Sequence, residues 1–90
     1  MAFEWDEKKA ASNLRKHGVT FDEATTVFDD RDVLIEEDAA RAGRGCAIGY
    51  SAADRVLYAV YVEVDGDVVR LISARPATKR ERKRYEEKRI

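Results

Sequence analysis

The sequence predicts an α+β domain in which helices stand before and after a mainly antiparallel sheet. Apolar residues recur at helical spacing up to about residue 30, and β-branched and aromatic runs dominate residues 33–75. Helical signals return after Pro76. Because helices and strands are grouped rather than alternating, we expect an antiparallel sheet instead of a parallel α/β fold. Ninety residues suit one hydrophobic core, so residues 1–90 are expected to form a single domain.

Two helices are predicted in the N-terminal third. Asp6 is a candidate N-cap for a helix that runs to about residue 16, and Gly18 can adopt the positive φ that ends it. Thr20 and Glu23 have the spacing of a capping box. The second helix should therefore start here and end near Asp29.

Four strands are predicted to follow, over residues 33–35, 46–51, 56–64 and 68–75, with a loop over residues 36–45. Asp65-Gly66 is a hairpin signal. With a two-residue turn there, Tyr61 lies opposite Arg70, and both share one face with Glu63. A β-bulge would reverse these faces, because strand side chains alternate with a period of two.

A short basic helix is predicted to close the chain. Thr78 and Glu81 form a second capping box, and the helix should reach about residue 88. Residues 70–90 hold nine Lys or Arg against three Glu, whereas residues 1–69 hold eight basic and fifteen acidic residues. The overall net charge of −1 thus hides a basic C-terminal end. This asymmetry favours a local site for a polyanion.

Composition argues against several classes of protein. One cysteine, Cys46, allows no internal disulfide and is expected to be a small buried residue. With only one histidine as well, we expect neither a metal nor another cofactor. The first residues are acidic where a signal peptide would be basic and then apolar, and the longest apolar run, Val56–Val62, is too short for a bilayer. A cytoplasmic location without membrane contact is therefore expected.

Two blocks of sequence carry a recognisable pattern. The first comprises Phe3–Asp6, Asn13–Phe21, Ala24 and Val27–Asp30, and the second is Leu71–Glu86, with Ala47-Ile48-Gly49 fitting between them. In this order they resemble the N-terminal and C-terminal signatures of the BrnT toxins. The resemblance implies a RelE-like fold and a ribonuclease that arrests translation.

The resemblance also implies a partner. A BrnA-like antitoxin with a ribbon-helix-helix DNA-binding domain would be encoded alongside, and a two-plus-two heterotetramer is the expected assembly. Operator DNA would then be contacted only through the antitoxin.

RNA cleavage without a metal needs a base for the 2′-hydroxyl, cations for the phosphate, an acid for the leaving oxygen and a surface for the bases. As the only histidine, His17 is a candidate proton-transfer group. Glu63 is the candidate general base. Arg70 and Arg75 on the last strand are candidates to grip the phosphate. Each arginine has an alternative role, as the partner of a surface carboxylate.

Further residues are candidates for RNA binding. Ser73 lies between the two arginines, Lys16 precedes His17, and Tyr61 lies on the predicted face with Glu63. The last helix supplies Lys79, Arg80, Lys83 and Tyr85. The alternatives are structural: cations suit a helix C-terminus, and Tyr85 can pack on the sheet. Trp5 is expected in the core.

The same residues are compatible with other functions. A domain that binds RNA or the ribosome without cleavage would share the basic face but need neither base nor acid. A toxin of the same fold could instead poison gyrase, or the chain could be an inactive copy that serves only as a co-repressor.

Overall fold

Five strands and three α-helices are formed by residues 1–89, the part of the chain that the computed structural model describes. A short 3₁₀ helix, Val27–Asp29, extends the second α-helix. The α-helices are α1 (Glu7–His17), α2 (Phe21–Thr26) and α3 (Lys79–Arg89), and the strands are β1 (Ala2–Glu4), β2 (Leu34–Glu37), β3 (Arg44–Tyr50), β4 (Val56–Asp65) and β5 (Val68–Pro76).

The predicted helix boundaries are confirmed by their caps. The side chain of Asp6 accepts a hydrogen bond from the backbone N–H of Lys8, and Gly18 ends α1 with φ of 69°. Thr20 Oγ1 accepts from the backbone N–H of Glu23 at 3.0 Å at the start of α2. Local sequence determined these boundaries, because each cap is made within a few residues.

The predicted number of strands was wrong. The sheet has five strands in the order β1-β5-β4-β3-β2, and it is mixed because β1 runs parallel to β5. The other neighbouring pairs are antiparallel, as predicted. β1 was not predicted because three residues are too few to show the alternation of a strand. Its pairing of Ala2 with Val68 also joins residues that are distant in sequence.

The predicted register of the β4–β5 hairpin was also wrong. Val64 is an extra residue in β4, between the pairs Asp65–Val68 and Glu63–Val69, so Arg70 lies opposite Val62 and Tyr61 lies opposite Leu71. A second irregularity, at Ile72 of β5, follows before Val60 pairs with Ser73. The turn is formed by Gly66 and Asp67 rather than by Asp65 and Gly66. Arg70 therefore does not share a face with Tyr61, because the bulge shifts the alternation of side chains by one residue.

Helices cover the two faces of the sheet unequally. On one face, α2, the 3₁₀ helix and the segment between α1 and α2 bury Phe21, Val27 and Val19 against β4 and β5. On the other face, α3 packs Tyr85 onto Ile48 and Val56. Trp5 is half-buried and meets Phe21 edge-on, and Cys46 is buried as predicted. Within residues 1–89, no helix has the length and apolar character needed to cross a membrane.

Candidate functional site

The edge of β5 is left free by its neighbour and is then covered by a helix. β1 pairs only with Val68–Arg70, and α1 packs along the strand beyond that point. Asn13 of α1 is buried there. Its Nδ2 donates to the carbonyl oxygens of Ala74 at 2.8 Å and Val19 at 3.0 Å, and its Oδ1 accepts from the Ala74 N–H at 3.0 Å.

The amide of Asn13 thus makes the hydrogen bonds that a further strand would have made with Ala74. Asn13 was not predicted as part of the site. The available signal was its place inside a helix, where asparagine is disfavoured unless its side chain has another partner.

Beside Asn13, α1 and β5 enclose a groove of about 180 Å³, which we call the α1–β5 groove. The structure brings three predicted site residues, Lys16, His17 and Ser73, to its walls. Lys9, which was not predicted, lies about two helical turns before Lys16 on the same side of α1. The other lining residues are Ser12, Asn13 and Ile72.

The charges of the groove are not balanced by the protein. Lys9, Lys16 and His17 are exposed, and within residues 1–89 none of them forms an ion pair. Ser73 lines the same space from the strand. Such a combination of unpaired cations and a hydroxyl suits an anionic ligand.

Arg75 is held by protein groups instead. Its Nη1 and Nη2 each donate to one carboxylate oxygen of Glu81 at 2.8 Å, and its guanidinium lies 4.3 Å from the ring centroid of Tyr58. The hydrogen bonds that Arg75 donates to Glu81 raise the pKa of Arg75. The fork predicted to grip phosphate is therefore occupied, and it joins the end of β5 to the first turn of α3.

Arg70 also has a carboxylate partner, although a weaker one. Its Nη1 donates to Glu4 on β1 at 2.8 Å, and both side chains are about two-fifths exposed. A single contact in water leaves the rest of the guanidinium free.

Two tyrosines that were predicted to bind RNA are inaccessible to it. Tyr85 is 1% exposed and donates its hydroxyl to Asp30. Tyr61 is 7% exposed and meets Phe28 edge-on. Neither ring presents a face for a base, because long-range packing has buried it.

Glu63 is separated from the groove. It is exposed near the turn of the hairpin and lines a different depression, together with Tyr61 and the β2–β3 loop. The predicted general base and the predicted proton-transfer group, His17, therefore do not line the same space.

Cys46 and Tyr58, on the face of the sheet that α3 covers, are not anions near neutral pH. The thiol of Cys46 and the hydroxyl of Tyr58 share a hydrogen bond of 2.8 Å. That bond, together with burial, raises the pKa of Tyr58 to about 12, and burial raises the pKa of Cys46.

Lys79, Arg80 and Lys83 are exposed on α3 and form no ion pair within residues 1–89.

Comparison with known proteins identifies the family. A family model described as the ribonuclease toxin BrnT of type II toxin–antitoxin systems matches residues 5–81. The chain belongs to this family. It is an endoribonuclease toxin whose partner is an antitoxin, and the predictions of family and function are confirmed.

A solved structure agrees. The chain resembles the crystal structure of the Brucella abortus ribonuclease toxin BrnT, with a TM-score of 0.73 and 25% sequence identity. The match covers 88% of this chain and 99% of the other. No curated protein sequence matches the chain.

Proposed function

We propose that this toxin cleaves RNA in the α1–β5 groove, without a metal. The observation that carries the proposal is the meeting of Lys9, Lys16 and His17, all free of ion pairs within residues 1–89, with Ser73 at the edge of β5. Lys9 and Lys16 neutralise the scissile phosphate, and Ser73 donates a hydrogen bond to a phosphate oxygen.

His17 is the proton-transfer group in this proposal. Attack of the 2′-hydroxyl on the phosphorus needs a base to remove its proton, and departure of the 5′-oxygen needs an acid. The imidazole of His17 takes the proton of the 2′-hydroxyl and then gives it to the departing 5′-oxygen, and the two lysines stabilise the charge that grows on the phosphate between these transfers. Glu63 has no part in the step, because it lines another depression.

The arginines of β5 have different roles. Arg70, which is half-exposed and near Ser73 on the strand, provides a further phosphate contact. Arg75 positions α3 through Glu81, and its contact with RNA would require exchange of that carboxylate. Lys79, Arg80 and Lys83 extend the positive surface along α3, so that RNA longer than the groove gains affinity.

We further propose that the partner is a BrnA-like ribbon-helix-helix antitoxin, in a two-plus-two complex that contacts operator DNA through the antitoxin. The fold is then of the RelE-like type, and translation arrest in the cytoplasm follows from loss of RNA. Membership of a type II toxin family supports these details.

Mapping of cleavage sites, followed by kinetics, tests the groove. New 5′ ends after brief induction identify a cleaved sequence, from which an RNA oligonucleotide is made. Single-turnover cleavage is measured in EDTA for the wild type, the double variant Lys16→Ala, His17→Ala and the control Lys8→Ala. Lys8 is an exposed lysine of α1 that does not line the groove.

We expect at least about a 100-fold loss of rate for the double variant, because a proton-transfer group and a phosphate cation are both removed. The control should cleave within twofold of the wild type. A matching RNA with a 2′-deoxyribose at the cleaved position should be inert. A double variant that cleaves at the wild-type rate would place the active site elsewhere.

A further inference from the structure

A second groove lies on the other side of α1, where this helix meets α2. Trp5, Ala11, Leu14 and Phe21 line it, and its volume is about 260 Å³. We call it the α1–α2 groove. Leu14 is 48% exposed, although Ala10 and Leu14 at helical spacing would ordinarily mark a buried face. The helix thus has a cationic side at β5 and an apolar side at α2.

The rim of the α1–α2 groove is acidic. Glu7 accepts a hydrogen bond from Trp5 Nε1 at 3.1 Å, and Asp22 stands at the start of α2. Both line the groove, and within residues 1–89 neither forms an ion pair. Carboxylates in this position repel the phosphates of RNA and attract lysine or arginine.

These properties exclude two occupants. RNA is disfavoured by the acidic rim, and its bases would meet an apolar surface without a cation. A second copy could offer its basic helix α3, but the aromatic residue of that helix, Tyr85, is buried in its own fold. A separate protein segment with apolar residues flanked by basic ones fits both the groove and its rim.

We propose that the antitoxin docks here, with an amphipathic helical segment whose apolar residues cover Leu14 and Trp5 and whose basic residues pair with Glu7 and Asp22. The inference deepens the proposed function, because it names the docking surface of the partner that a type II toxin possesses. The docking surface does not depend on where RNA is cleaved. Only the explanation of inhibition rests on the proposed active site in the α1–β5 groove. A helix is about 10 Å across, so a segment bound at one side of α1 lies close to Lys16 and His17 on the other.

Fluorescence of Trp5 reports on this groove directly, because the chain has one tryptophan. The toxin is titrated with the antitoxin encoded beside it, and the same titration of Trp5→Phe toxin is subtracted to remove any signal from the antitoxin. We expect the emission of Trp5 to move to shorter wavelength as the groove is covered. Emission that does not move at saturation would overturn the proposal.

Affinities of variants provide the second measurement. Leu14→Glu should raise the Kd for the antitoxin at least tenfold, because it places a charge in an apolar contact. The control is Ile35→Glu on the edge strand β2, where the side chain is 49% exposed and lies outside the groove. It should stay within twofold of the wild type. Asp22→Asn should weaken binding several-fold and reduce its dependence on salt.

The same proteins are assayed for RNA cleavage without antitoxin, and Leu14→Glu should retain wild-type activity, which also shows that it is folded. Wild-type affinity for Leu14→Glu would disprove the docking surface whatever the cleavage result. Undiminished cleavage by the Lys16→Ala, His17→Ala variant would disprove the proposed active site and leave the docking result intact. A loss of affinity in Ile35→Glu but not in Leu14→Glu would assign the antitoxin to the β2 edge.

Discussion

Two groups of cationic side chains lie near Ser73, and the protein uses them differently. Lys9, Lys16 and His17 in the α1–β5 groove form no ion pair within residues 1–89, whereas Arg70 and Arg75 each donate to a carboxylate. The arginines connect elements that are distant in sequence, β1 to β5 and β5 to α3. The arginines therefore stabilise the architecture, while the more flexible cations of the groove remain available to a ligand.

This difference has a physical basis. A guanidinium matches a carboxylate in two parallel hydrogen bonds, so the Arg75–Glu81 pair has a defined geometry at the start of α3. A lysine ammonium is a hydrated point charge on a flexible stem. It is well solvated without a protein partner and stays available to a phosphate.

The largest effect is expected from Asn13→Ala, which would break the geometry of the groove. The variant leaves Ala74 without its side-chain partner and removes three hydrogen bonds from a buried position. We expect the free energy of unfolding in urea to fall by about 3 kcal/mol, with loss of cleavage as α1 shifts. Ser12→Ala, at the next residue of the groove, should change stability by less than about 0.5 kcal/mol.

A smaller effect is expected where Glu81→Ala removes the partner of Arg75. The bidentate pair is lost, and so is the half of the capping box in which the Glu81 carboxylate accepts from the Thr78 N–H. We expect the free energy of unfolding to fall by about 1–2 kcal/mol. Glu4→Ala, which removes the exposed partner of Arg70, should cost below about 1 kcal/mol. Equal losses for the two variants would contradict the distinction between a held and a loosely paired arginine.

Acid should lower the free energy of unfolding by protonating the carboxylates that are paired with arginines. Hydrogen bonds from Arg55 lower the pKa of Glu23, and at Glu81 the bonds from Arg75 and Thr78 outweigh the opposing effect of burial. At pH values between the lowered pKa values and the ordinary carboxyl pKa values, the unfolded chain therefore binds more protons than the folded chain. Stability is present above that range and is lost as the pH falls through the lowered values.

Urea unfolding at several pH values between 7 and 3 tests this expectation. The wild type should lose stability chiefly below about pH 4–5, where unfolded carboxylates take up protons. Glu81→Gln, which removes one of the titrating groups, should show a shallower decline. An identical decline in this variant would mean that Glu81 does not contribute.

The smallest effect is expected in the salt dependence of RNA binding, which distinguishes a free cation from a paired one. A single phosphate contact to single-stranded nucleic acid contributes about 0.7 to the slope of log affinity against log salt. Lys9→Ala should reduce the slope by about that amount, measured with the inert 2′-deoxy substrate. Arg75→Ala should leave the slope unchanged, since its fork is bound to Glu81. A change for Arg75 alone would reverse the roles of the two groups.

Much of the architecture followed from local sequence. The caps at Asp6, Gly18 and Thr20 and the α+β class were predictable, because caps involve neighbouring residues and periodicity reflects local geometry. The two blocks that resemble the BrnT toxins identified the family over nearly the whole chain, and the family model agrees. Lys16, His17 and Ser73 were also predictable as candidates from their residue types.

Which candidate residues lie together depends on long-range contacts. The bulge at Val64 moved Arg70 away from the face of Tyr61 and Glu63, and β1 paired with β5, which is distant in sequence. Bulges and parallel pairings depend on contacts between residues far apart in sequence, so no local period encodes them. Local periods and motifs, in contrast, encode the fold class and the family, and the sequence was sufficient for both. Packing decided that Tyr85 is buried, that Arg75 is paired and that Lys9 belongs to the groove.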